Sequence, residues 1–357
     1  LMEALIDGAI SNTVMQGNLQ QNTDSEKLID LLLTQANKYG ADLSHVVLTS
    51  SGVMANENAL KMAFQKNHPA DRVLAFNKCF HGRTIAVAGV TDKAVYRDGL
   101  PEAFCVDYLP FYDKSDHKGS IERMECAIAG YIKRYPGKHA ALMCEVIQGE
   151  AGSWLGNTEY FEKLFSICKE NKISIIVDEV QSFGRTEKLF AFQYYGLDKY
   201  VDFVNIGKNA QVCATIYRAD HKPRPGLISQ TFTSSSTAIN ASYFIINSIV
   251  NDGYLGKDGK INKIHSYFSK KLEELHTLHP DKIEGPWGIG AMVAMTLFKG
   301  DMKKSKDFTF KLFKNGVLSF IAGQLPTRVR FLVPAGAIEN HDIDEVCKII
   351  DKTLKEF

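Results

Sequence analysis

The sequence predicts an α/β protein, with a mostly parallel sheet in a large domain followed by a smaller α+β domain. Three observations carry that expectation. Short β-rich runs alternate with helix-length amphipathic segments from about residue 44 to 207. Those runs are almost continuously apolar, as strands covered on both faces are. After about residue 245 the order changes and strands and helices mix, as they do in a small α+β unit. At 357 residues the chain also exceeds what one compact core supports. The expected division is 1–245, with a lead-in helix within 1–40, and 246–357.

Taken in order, 45–50 reads as a strand and 56–66 as the helix after it, with 72–76 as a second strand. A helix at 121–134 leads into a strand at 140–147, and a helix at 159–170 into one at 173–180. A run at 201–206 closes the alternation. In such a sheet ligands bind beyond the carboxyl ends of the strands, which says where to look for chemistry. In the second domain, helical stretches at 241–250 and 262–276 give way to segments at 288–298, 307–314 and 328–333 and a last helix at 341–356.

Net charge is +1 and no Lys/Arg stripe stands out, which argues against nucleic acid or a membrane surface as partner. The longest apolar runs, at 140–144 and 173–177, are far too short to span a bilayer. Residues 1–20 show no basic start followed by an apolar stretch, so no secretory signal is expected. Seven cysteines, with no CxxC pair, read as buried thiols of a reducing compartment and not as a disulfide frame or a zinc site. The cytoplasm is the expected location, and no metal is expected. No GxGxxG follows a strand, which argues against a dinucleotide-binding dehydrogenase.

Several strand ends carry polar groups suited to a phosphorylated aromatic cofactor. The turn Thr49-Ser50-Ser51-Gly52-Val53 opens a helix, whose free N–H groups and dipole favour a dianion; by itself it is also an ordinary capped helix start. Phe80 offers a ring for stacking and Arg83 a partner for a carboxylate, although singly they read as core and surface residues. Asp178 follows directly on the strand at 173–177, where a buried acid needs a partner; a protonated pyridine nitrogen suits it, as does a basic side chain or a turn to cap. Lys208 follows the run at 201–206, and desolvation there would favour a neutral amine able to attack an aldehyde. Together these elements supply a phosphate cradle, a stacking ring, a pyridinium partner and a Schiff-base lysine.

The stretches SGVMANENALK (51–61), FHGRT (80–84), EVIQGEAG (145–152), DEVQSFGRTEKLFAF (178–192), IGKNAQVC (206–213) and RVRFLVP (328–334) resemble, in order, those of the class III, ω-amino aminotransferases. The resemblance covers nearly the whole chain from about residue 40 and implies a fold-type-I, pyridoxal 5'-phosphate-dependent transferase. It implies Lys208 as Schiff-base lysine and proton shuttle, Asp178 as partner of the pyridine nitrogen and Gln181 as neighbour of the phenolic oxygen. Phe80 would be the stacking ring, with Ser51, Gly52 and Val53 at the phosphate. Thr231 resembles the threonine that reaches the phosphate of the neighbouring subunit, which implies a homodimer with shared active sites. Arg330 resembles the arginine that grips an α-carboxylate, and Glu150 the acid that masks it.

Within that family GVMANENALK and GKNAQVC resemble lysine ε-aminotransferases, where an aliphatic residue replaces a hydroxyl after the phosphate-loop glycine; Arg83 would then bind the lysine carboxylate. The expected reaction moves the terminal amine of a diamino acid, lysine favoured, to 2-oxoglutarate. Ornithine, acetylornithine and 4-aminobutyrate are the rival donors. The same scaffold is also compatible with an aminomutase, a racemase or a decarboxylase, and with a non-catalytic descendant that serves in binding or structure. The chain departs from the family in Ser182-Phe183 after the DEVQ motif and in Thr233-Ser234-Ser235 after Thr231. Relatives also carry an N-terminal segment ahead of the point where this sequence starts.

Overall fold

A computed structural model describes residues 1–11 and 21–357. Its strands, in chain order, are β1 (His45–Thr49), β2 (Arg72–Phe76), β3 (Cys105–Leu109), β4 (His139–Cys144), β5 (Ile147–Gln148), β6 (Trp154–Leu155) and β7 (Ser174–Asp178). They continue with β8 (Phe203–Ile206), β9 (Cys213–Tyr217), β10 (Ile283–Ile289), β11 (Met292–Leu297), β12 (Phe320–Ala322) and β13 (Arg328–Leu332). The chain divides into two units. One comprises Leu1–Val146, Gly156–Gly184 and Phe190–Ile249; the other comprises Ile147–Leu155, Arg185–Leu189 and Val250–Phe357. A contiguous division at 245 assigns 147–155 and 185–189 to the first unit, whereas the structure gives both short excursions to the second. Sequence order cannot show such excursions, because each is too short to carry a periodicity of its own.

The larger unit is built on a seven-stranded sheet in the order β1-β9-β8-β7-β4-β2-β3. Neighbours from β8 through β3 run parallel, and β9 is antiparallel to both β8 and β1. The sheet is thus mostly parallel. Strands β4 and β7 are buried at every position, which is why HAALMC and SIIVD read as unbroken apolar runs and not as alternating ones. Sequence reasoning misses the antiparallel β9 and the edge strand β3, since CATIY and CVDYL are five-residue runs that periodicity alone does not orient.

The covering helices follow from spacing and caps. The helix Thr158–Glu170 buries Tyr160, Phe161, Leu164, Phe165 and Cys168, a stripe at three- and four-residue intervals. Asn157 caps it by accepting from the Tyr160 N–H. Burying a ring such as Phe161 contributes ~1.5–3 kcal/mol. The lead-in helix expected within 1–40 lies partly on residues 12–20, outside the described residues; helices at Met2–Ile10 and Thr23–Ala36 flank them.

The smaller unit has an antiparallel sheet in the order β10-β11-β13-β12 and the β5–β6 hairpin. Its core packs Val293, Met295, Leu297, Val329 and Phe331 against Ile264, Phe268, Phe308, Ile343 and Ile350 of its helices. Cys79, Cys144, Cys168 and Cys347 are buried as expected of packed thiols, whereas Cys105 and Cys126 are exposed. Among the described residues no helix is long and apolar enough to cross a membrane.

Candidate active site

In the larger unit, sheet register brings the two central residues to the same edge. Asp178 ends β7 directly opposite Asn205 of β8, and Lys208 follows three residues beyond Asn205. Lys208 opens a short 3₁₀ turn at φ +47°, a left-handed conformation uncommon for a residue with a side chain. Its side chain is exposed. The preceding apolar strand therefore does not by itself bury residue 208.

Asp178 is 6% exposed. Its Oδ2 accepts from Asn56 Nδ2 at 2.7 Å and faces His81 Nδ1 at 2.8 Å, while Oδ1 accepts from the Val180 N–H at 3.0 Å. Asn56 also donates to the His81 carbonyl, and its own Oδ1 accepts from Asn205 Nδ2 at 2.7 Å. Three residues thus hold one carboxylate in one orientation, and Asn205 in turn orients Asn56. Burial opposes a charge on His81, the Cys79 sulfur and Asp178 favour it, and the balance lifts the imidazole well above its ordinary range. Sequence reasoning misses Asn56, His81 and Asn205. Two of them are visible there as polar residues at positions that the pattern buries: Asn56 on a helix face and Asn205 inside an apolar strand.

Next to Asp178, burial raises the Glu179 carboxyl to about 7 against donors from the Ala191 and Phe192 N–H groups and the Ser182 hydroxyl. The spacing is tight around it. Ser51 caps the helix Gly52–Lys66, its hydroxyl oxygen accepting from the Met54 N–H. A Cβ on Gly52 would lie 2.7 Å from a Val180 methyl, so the turn after β1 approaches the segment after Asp178 only because residue 52 has no side chain. Val53 in turn fills the space that a Cβ on Gly82 would need.

Phe80 is half-buried, its N–H donating to Glu145 Oε2 at 3.0 Å and its ring edge-on to Tyr96. Arg83 is exposed, with its guanidinium 4.0 Å over the Tyr96 ring. Gln181 is buried. Thr231 is exposed, and its neighbour Gln230 accepts from the Thr49 hydroxyl at the end of β1.

The smaller unit brings Glu150 and Arg330 together. Arg330 lies on β13, buried, and its guanidinium donates to the Glu150 carboxylate. Arg185 is buried in the same unit; burial and the charge of Arg330 lower it to about 10. The positive charge of Arg330 thus adds to burial in disfavouring the charge on Arg185.

The larger unit fits pyridoxal phosphate on its own geometry. A buried carboxylate is fixed by three donors, a serine-capped helix start offers its first-turn N–H groups and dipole to a phosphate, and an amine follows two residues after the strand next to that carboxylate.

Similarity to known proteins agrees with that geometry. The family model for aminotransferase class-III matches residues 1–354. The mitochondrial acetylornithine aminotransferase of Saccharomyces cerevisiae is 28% identical over 355 residues, covering 96% of this chain and 79% of that protein. A lysine aminotransferase from M. tuberculosis shares the fold at a TM-score of 0.86 and 22% identity, over 99% of this chain and 84% of that one. A taurine:2-oxoglutarate aminotransferase from Bifidobacterium kashiwanohense, in complex with PLP and glutamate, gives 0.85 and 18%, over 99% and 84%. The chain belongs to the class III aminotransferases, enzymes that depend on pyridoxal 5'-phosphate.

Proposed function

We propose that this enzyme moves the terminal amino group of a diamino acid, lysine by preference, to 2-oxoglutarate, giving a semialdehyde and glutamate. The observation that carries the reading is the closed Glu150–Arg330 pair. An arginine able to grip an α-carboxylate is masked by the chain's own acid, which suits a donor that presents an ω-amine. Glutamate and 2-oxoglutarate would open the pair by offering a carboxylate in its place.

When bound, pyridoxal phosphate supplies an electron sink for the negative charge developing at the donor carbon. The chain's residues do the rest. Lys208 takes the proton from the donor carbon and delivers it on the cofactor side. Asp178, oriented by Asn56 and His81, keeps a proton at the pyridine nitrogen. Phe80 packs on the ring and Gln181 holds the phenolic oxygen. The Ser51, Gly52 and Val53 amides hold the phosphate, with Thr231 reaching that of the partner subunit in a homodimer. Arg83 holds the carboxylate of the ω-amine donor.

The aliphatic Val53 after the phosphate-loop glycine and the fold shared with a lysine aminotransferase support lysine. The named activity of the yeast relative supports a second reading, in which acetylornithine or ornithine is the donor. The cytoplasm remains the compartment proposed. The deciding experiment mixes the cofactor-loaded, yellow protein with lysine, ornithine, acetylornithine or 4-aminobutyrate in single turnover and follows bleaching. Fastest bleaching by lysine is expected; fastest bleaching by acetylornithine gives the second reading. Failure of every donor to form glutamate from 2-oxoglutarate overturns both.

A further inference from the structure

Strand β13 carries a second buried arginine two residues before Arg330. Residues two apart on a strand point to the same face, about 6–7 Å from each other. Register confirms the arrangement: Arg328 lies opposite Thr296 and Arg330 opposite Ala294, while Val329 between them enters the core. Arg328 is 4% exposed, yet among the described residues no carboxylate lies within ion-pair distance of it. A buried cation without a counter-ion is costly, so what it does hold is informative.

What it holds is the segment that carries Glu150. Arg328 Nη1 donates to the Gly152 carbonyl at 2.7 Å. Its guanidinium is 4.0 Å from the Trp154 ring centroid and 4.6 Å from that of Trp287, so both tryptophans of the chain pack on it. Trp154 turns back to donate to the Ala151 carbonyl at 3.0 Å, and Trp287 is anchored on the Thr296 hydroxyl at 2.9 Å. Gly152 sits at φ +119°, where a Cβ would come within 2.9 Å of Arg328 Cδ. On the other side of Glu150, its carbonyl accepts from the Gly323 N–H at 2.8 Å. The main chain around Glu150 is thus fastened at residues 150, 152 and 154.

We propose that Arg328 is a positioning residue for the Glu150–Arg330 gate, pinning the loop main chain so that only the Glu150 side chain moves when a substrate carboxylate competes for Arg330. The proposal rests on the gate reading given under Proposed function and adds a specificity determinant to it. Its physical content is entropic. A carboxylate on a fastened main chain loses little freedom in closing on Arg330, whereas one on a loose loop must order the loop each time and masks less well. Weakening the pin therefore strengthens binding of an external dicarboxylate, in the same direction as removing Glu150 itself.

The test uses glutarate, a five-carbon dicarboxylate that cannot be transaminated, bound to the cofactor-loaded enzyme and measured by titration calorimetry. Glu150→Ala and Arg328→Met are each expected to tighten glutarate binding, by about threefold or more. The double variant is expected to bind no more tightly than Glu150→Ala alone, because the pin acts only through Glu150. Intrinsic tryptophan emission should shift in Arg328→Met, since both rings lie against the guanidinium. If Arg328→Met does not fold, Arg328→Lys, which retains a donor for Gly152 but loses the planar stack, should tighten binding to a smaller extent. Tightening in Glu150→Ala with wild-type affinity in the Arg328 variants overturns the positioning role and leaves the gate standing, as do effects that multiply in the double variant. Unchanged affinity in Glu150→Ala removes the gate reading, and the positioning role falls with it.

Discussion

His81 Nδ1 lies 2.8 Å from Asp178 Oδ2, with both side chains buried. Because the imidazole is lifted above its ordinary value of 6.5, its contribution to stability is complete below that value and is lost as pH rises through the raised one. His81→Leu should cost ~3 kcal/mol by leaving the carboxylate short of a partner. It should also flatten the decline in stability above pH 6.5. Urea midpoints measured between about pH 6 and pH 9 check both statements.

Lys208 is expected to be the lysine that captures the cofactor. Borohydride reduction of the yellow wild-type protein should leave an adduct that peptide mass spectrometry maps to Lys208. Lys208→Ala should give no such adduct and lose about 10²–10⁴-fold in turnover, the usual cost of removing a positioned acid–base group. An adduct on another lysine would remove the assignment.

Opening the gate should change selectivity more than capacity. Glu150→Ala is expected to leave the glutamate half-reaction within about twofold while lowering the preference for the ω-amine roughly tenfold, ~1.4 kcal/mol of discrimination. Single-turnover rates with lysine and glutamate give the ratio directly. An unchanged ratio counts against a masking role for Glu150.

Gly52→Ala should loosen cofactor binding, since the new methyl meets the Val180 side chain at 2.7–2.8 Å. The remedy follows from the geometry: Val180→Ala in the same chain vacates that space and should restore most of the affinity. Overpacking of this kind typically costs ~1–3 kcal/mol. Fluorescence titration of apoenzyme with pyridoxal phosphate measures it.

Glu179→Gln separates charge from hydrogen bonding. Both carboxylate oxygens accept, from Ser182, Ala191 and Phe192. An amide places an NH₂ group against one set of donors and should destabilise by ~1–3 kcal/mol even though it removes a buried charge. With Glu179 present, its carboxyl, raised from 4.5 to about 7, adds stability that is complete below pH 4.5 and lost as pH climbs through 7; the variant lacks that slope. Thermal midpoints across that range distinguish the two chains.

The amino-acid order by itself determined the elements whose information is local. Apolar runs such as SIIVD and HAALMC declare buried parallel strands, Ser51-Gly52 declares a helix start, and Asp178 and Lys208 stand at strand ends where ligands bind. Those features are properties of a few consecutive residues, so they survive without a partner. Tertiary structure alone decided everything that depends on distant segments meeting. It placed Asn56, His81 and Asn205 around one carboxylate and gave 147–155 and 185–189 to the smaller unit. It also left Lys208 exposed and packed both tryptophans against Arg328. A hydrogen bond between residues more than a hundred positions apart leaves no period in the sequence, because its geometry exists only once the sheet has set the register.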